Sequence, residues 1–147
     1  MAEFFVEIGE QVNFAKTVGE TDVYMFADIT GDFSDNHVNE EAMEKTRYGG
    51  RIAHGALMVG YMSTASTMMT QKAFNRGVIS NPVSLGYDGI RFLGAVMIGD
   101  TIHVSYTIAE INAESMRSLA DIEVTNQRGE LVAVGKHHMK WLTDLGS

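Results

Sequence analysis

From Thr101 to Ile111 apolar and polar residues alternate: Ile102, Val104, Tyr106 and Ile108 fall on one side, and Thr101, His103, Ser105 and Thr107 on the other. A period of two is that of a strand with one buried face. The pattern returns over Arg117–Asn126, with Ala120, Ile122 and Val124 on one face. Gln127-Arg128-Gly129-Glu130 then reads as a hairpin turn before a last strand, Leu131–Leu142. Upstream, Val83–Phe92 is a further strand, in which Gly86 and Gly89 suggest a bulge, and Gly99-Asp100 turns the chain into Thr101.

The first half of the chain has a different period. From Ile52 to about Phe74, Ala53, Ala56, Leu57, Met58, Val59, Tyr61, Met62, Ala65, Met68 and Met69 leave few polar faces, which predicts a buried helix. Its Ser63, Thr64, Ser66, Thr67 and Thr70 argue against a membrane span. A shorter helix is predicted from a Thr21 cap to Gly31, with Asp22 in its first turn. Asn39 caps a polar helix that runs to Gly49-Gly50, and residues 4–19 read as one or two short strands. The order predicts a single α+β domain over 1–147, with sequential antiparallel strands wrapped around the long helix.

Composition narrows the function. A net charge of −8 disfavours nucleic acid as a partner. The chain has no Cys, so disulfides and thiol catalysis are unavailable. Met1-Ala2-Glu3-Phe4-Phe5 lacks the basic and apolar regions of a signal peptide, and no apolar run is long enough to span a membrane. The expected compartment is the cytoplasm.

Candidate chemistry gathers between Thr30 and Gly55. Gly31-Asp32-Phe33-Ser34-Asp35-Asn36-His37 follows neither a helix nor a strand period and places a carboxylate and an imidazole in one loop. Arg51-Ile52-Ala53-His54-Gly55 leads into the long helix. Together they offer an acid/base pair and a backbone N–H at a positive helix end, the groups needed for water chemistry on a carbonyl compound. Taken singly, Asp32 reads first as an Asx-turn or cap and His37 as a solvated loop residue; the family resemblance given below reverses that order. Asp32, Asp35 and His37 could also face one metal. His54 is expected to pack at the helix entrance, His103 to be solvated, and His137 and His138 to point to opposite faces. Lys45, Arg47, Arg51, Lys72, Arg76 and Arg91 are candidate phosphate contacts that no spacing separates.

Gly31, Asp32 and His37, followed by Ile52, His54 and Gly55, resemble the signature of the MaoC-like hot-dog family, within it the (R)-specific enoyl-CoA hydratases. That signature reads Gly-Asp-x-Asn-Pro-aliphatic-His, then Ile/Val-x-His-Gly opening the central helix. Ser34, Asp35 and Asn36 depart from it. Arg91-Phe92-Leu93 and Gly99-Asp100-Thr101 resemble the family's strand-turn-strand passage. The resemblance implies a hot-dog fold and reversible hydration of trans-2-enoyl-CoA to an (R)-3-hydroxyacyl-CoA. Asp32 and His37 would activate water, and the Gly55 N–H would hold the thioester oxygen. Phe33, Ser34 and His54 would contact the substrate. It also implies a homodimer or dimer of dimers, with neither metal nor other cofactor. The alternatives are a hot-dog thioesterase, a carrier-protein dehydratase and a non-catalytic acyl-thioester binding module.

Overall fold

The computed structural model describes residues 4–144; the expectations for Met1, Ala2 and Glu3 and for residues 145–147 lie outside it. The chain runs β1 (Gln11–Thr17), α1 (Glu20–Thr30), α2 (Asp35–Val38), α3 (Glu40–Glu44), α4 (Gly55–Asn75), β2 (Asn81–Phe92), β3 (Thr101–Asn112), β4 (Arg117–Thr125) and β5 (Leu131–Leu142). The strands form one antiparallel sheet in the order β1-β3-β4-β5-β2, with α4 packed against it, the expected hot-dog arrangement.

The alternating residues of β3 and β4 form the core as read: Ile102, Val104, Tyr106, Ile108, Ala120, Ile122 and Val124 are all buried. They meet Met58, Tyr61, Met62, Ala65, Met69 and Ala73 of α4. These α4 residues recur at helical spacing, so burial is confined to a stripe and is not all-round as expected. Ala56, Gly60, Ser63, Thr64 and Thr67 are exposed. Small side chains, three of them hydroxyls, make up that face and give it no second packed surface.

Other differences have local causes. α1 begins at Glu20, because Asp22 accepts the Gly19 N–H at 2.7 Å and Gly19, not Thr21, is the cap. Asn39 does cap α3, accepting the Ala42 N–H at 3.0 Å, but the helix ends at Glu44, short of the glycine pair. Ile52 is not helical; it forms an isolated bridge with Met97, and α4 starts at Gly55. β2 pairs with β5 rather than with its sequence neighbour β3, and its ladder slips between Ser84 and Gly86 and again between Asp88 and Arg91, where bulges were expected. Gly89, at φ +60, sits in the second slip.

Trp141 is fully buried, stacks on Phe5 at 5.4 Å and donates its indole N–H to Ser118 Oγ at 2.9 Å. Arg76, donating to the Phe5 carbonyl at 2.7 Å, ties the N-terminal segment to the end of α4. Tyr61 is buried, its hydroxyl has no partner among the described residues, and burial pushes its ionisation up to about 12.

Candidate active site

Asp32 follows Gly31, which ends α1 in the left-handed conformation at φ +83, a position that favours glycine. The segment beyond it is not all loop: Asp35–Val38 makes a single helical turn that presents His37. The second half of the site is the extended stretch before α4. Ile52 N–H donates to Asn36 O at 2.9 Å and Ala53 N–H to Val96 O at 2.7 Å, which fixes Arg51–His54 between the α2 turn and the β2–β3 connection.

Two main-chain oxygens set the tautomers of the two histidines. His37 Nδ1 lies 2.7 Å from the Ile52 carbonyl oxygen. A carbonyl only accepts, so Nδ1 carries the hydrogen and a neutral imidazole keeps its lone pair on Nε2. His54 Nε2 lies 3.0 Å from the Asp32 main-chain oxygen, so it is the donor, and Nδ1 is buried without a partner among the described residues. The two rings stack at 3.7 Å between centroids, and Phe26 packs against His54 at 4.7 Å. His54 is 2 % exposed, in keeping with packing at the helix entrance.

A cleft of about 420 Å³ opens here. His37, His54 and Gly55 line it with Arg47, Tyr48, Met58, Phe92 and Val132 among others. Gly55 is the first residue of α4, so its N–H has no acceptor within the helix. A Cβ at Gly55 would lie 2.7 Å from the Phe92 ring, so glycine is needed for that ring to pack where it does. Asp32 is exposed, and one carboxylate oxygen accepts the Ser34 N–H at 3.3 Å, the Asx-turn contact. Asp32, His37 and His54 each bring a donor atom within 4.8 Å of the other two. Asp35 is not part of this cluster, and His54 takes its place. Ser34 caps the α2 turn without a side-chain bond, and Phe33 is 55 % exposed; neither lines the cleft.

The six candidate cations separate. Arg51 is buried and paired with Glu20 and Glu40, and Lys72 and Arg76 pair with Glu10. Lys45 and Arg91 are exposed and do not line the cleft; Arg47 does, with its guanidinium 5.0 Å from the Tyr48 ring centre. Sequence reasoning missed the Ile52 carbonyl, which has no sequence signature, and Phe92, whose role depends on contact with Gly55. His103 is exposed, as expected. His137 and His138 do face opposite ways. His137 is fully buried, with Tyr106 OH 2.7 Å from Nδ1 and Ser84 Oγ 2.8 Å from Nε2. Burial pulls its pKa down to about 4. Tyr106, buried beside it, has His137 as its hydrogen-bond partner, so the phenol donates to Nδ1 and Nε2–H donates to Ser84. No basic lone pair is left there, and the network is structural.

A family model described as MaoC like domain matches residues 4–130. An (R)-specific enoyl-CoA hydratase of Rhodospirillum rubrum is 32% identical over 109 residues, 74% of this chain and 70% of that one. A 3-hydroxybutyryl-CoA dehydratase of Methylorubrum extorquens is 30% identical over 113 residues, 77% of this chain and 67% of that one. Among solved structures, a monoamine oxidase regulatory protein from Archaeoglobus fulgius is similar at TM-score 0.76 and 34% identity, over 96% of this chain and 95% of that one. Matched along most of its length by the family model and by relatives of this identity, the chain belongs to the MaoC-like domain family.

Proposed function

We propose that this protein reversibly adds water to a trans-2-enoyl-CoA, giving the (R)-3-hydroxyacyl-CoA. The observation that carries the reading is the bond from His37 Nδ1 to the Ile52 carbonyl, which leaves the Nε2 lone pair as the base in a cleft shared with Gly55. Water is a weak nucleophile and must lose a proton as its oxygen bonds to C3. His37 Nε2 takes that proton while the Asp32 carboxylate orients the same water. The C2–C3 π electrons move toward the thioester carbonyl, where the Gly55 N–H at the positive end of α4 holds the developing enolate oxygen. The imidazolium returns a proton to C2, so the enzyme ends as it began. Arg47 at the cleft is assigned to a CoA phosphate, with His54 behind the pair and Phe33 and Ser34 at the outer approach to the substrate.

β2 is a twelve-residue edge strand, paired on one side only, with Val83, Leu85 and Phe92 exposed. An edge of this kind invites a second strand. The enzyme is accordingly read as a homodimer joined along β2; a fully active monomer by light scattering would refute this. Among the described residues no helix is long and apolar enough to cross a membrane, in keeping with a cytoplasmic enzyme.

Crotonyl-CoA tests the reaction when loss of enoyl absorbance and release of free thiol are followed together. Absorbance loss without thiol is expected. Thiol release would make the protein a thioesterase. No change in either, with acyl-CoA bound, would make it a binding module.

A further inference from the structure

Arg51 is the only buried Lys or Arg among the described residues, at 8 % exposure. Its guanidinium reaches two helices, α1 and α3. Nε donates to Glu40 Oε2 of α3 at 2.8 Å, one terminal nitrogen donates to Tyr24 OH of α1 at 2.9 Å, and the other pairs with Glu20 at the start of α1. The cation also lies 5.5 Å from the Tyr24 ring centre. The hydrogen bond donated to Glu40 outweighs burial and holds the group firmly cationic.

These partners coincide with the carriers of the site. α1 ends at Gly31, immediately before Asp32. α3 follows directly on the turn that presents His37. Arg51 itself precedes Ile52, whose carbonyl fixes the His37 tautomer, and His54, which grips the Asp32 carbonyl. One planar cation thus binds together the three pieces of chain whose relative placement defines the water site. We propose that Arg51 is a positioning residue for the Asp32–His37 pair, setting turnover through the lengths of the His37–Ile52 and His54–Asp32 bonds without touching substrate. The proposal rests on the hydratase reading for its kinetic arm only.

Arg51→Lys keeps the charge, but one ammonium cannot reproduce a fork reaching three acceptors in fixed directions. Tyr24→Phe is the milder companion, since it removes one bond and keeps the ring. With crotonyl-CoA, Arg51→Lys should lower kcat about 10- to 100-fold, the scale of an ångström-level misplacement, with KM within about twofold. Tyr24→Phe should lie between it and the wild type. In an Asp32→Asn background the Arg51→Lys effect should nearly vanish, because residues acting through one water do not add. A purely structural role would instead lower activity equally in both backgrounds. Nitrogen-15 spectra of the imidazoles, assigned with His37→Asn, supply a readout free of turnover. Wild-type His37 should show one tautomer with Nδ1 protonated, and Arg51→Lys a mixture. Wild-type kcat in Arg51→Lys together with an unchanged His37 spectrum would overturn the proposal. An inactive wild type whose His37 spectrum still responds to Arg51→Lys would overturn the hydratase reading and leave the positioning role standing.

Discussion

Gly55→Ala separates the geometry of the cleft from the stability of the fold. Alanine is the better helix former by about 1 kcal/mol, and Gly55 already has a helical position, so propensity alone favours the variant. Against this, the new Cβ would meet Cδ2 and Cε2 of Phe92 at 2.7 Å, where ordinary contact begins at 3.4 Å. About 0.7 Å must be found, either by Phe92, which is 53 % exposed and has room to swing, or by the first turn of α4. The two effects on stability roughly cancel, and the thermal midpoint should move by only a few degrees. Turnover should not be spared. A ring swung away reshapes the cleft wall, and a displaced first turn carries the Gly55 N–H off the enolate oxygen, a loss of about 10²–10³ in rate for one such donor. We therefore expect kcat with crotonyl-CoA to fall about a hundredfold in a folded protein. Phe92→Ala alone should mainly raise KM, and Gly55→Ala/Phe92→Ala should regain at least about tenfold of the lost kcat, since the collision is gone. A double variant no better than Gly55→Ala would refute the steric reasoning. Wild-type turnover in Gly55→Ala would remove the helix entry from the mechanism.

Asp32→Asn and His37→Asn should each cost at least about a hundredfold in kcat, and the double variant little more than the poorer single one; additive losses would break the shared-water reading. Asp35→Ala serves as the control from the same turn, and an activity loss confined to it would mean the wrong carboxylate was assigned. Tyr61→Phe should stabilise the protein by about 1 kcal/mol in chemical denaturation, because it deletes a buried hydroxyl without a partner; a lower midpoint would show that the hydroxyl is satisfied in solution. His137 folds with its pKa lowered from 6.5 to about 4, so below pH 6.5 the unfolded chain binds the extra proton. Stability from this residue is therefore complete above that pH and declines by up to roughly 3 kcal/mol as pH falls toward 4. His137→Gln should flatten the decline measured in urea, and an unchanged slope would exonerate this histidine.

The readable parts of the chain were those whose physics is local. β3 and β4 show their buried faces as strict alternation, and Asn39 caps α3 through a bond three residues long. Asp32, His37 and Gly55 stood out because their spacing matched a known signature. What depends on distant partners did not show. The pairing of β2 with β5 passes over the two intervening strands, which no local pattern announces. Ile52 is as fit for a helix as for a bridge until Met97 is beside it. Arg51 looked like any of six surface cations because Glu20, Tyr24 and Glu40 reach it only in the folded chain. The hydrogen on His37 is assigned by a main-chain oxygen, and every residue but its geometry is the same in that respect.

Between β1 and the approach to α4, the helical segments α1, α2 and α3 contribute only Val23, Ala27 and Met43 to the buried apolar set, and α2 contributes nothing. The sheet and α4 hold most of the rest. Free energy of opening follows that distribution, since a segment resists local unfolding in proportion to the apolar contacts it must break. The part of the chain that carries Asp32 and His37 is therefore expected to open more readily than the sheet and α4. Its amide hydrogens should exchange, and its bonds should be cut by proteases, before those of the strands beneath it.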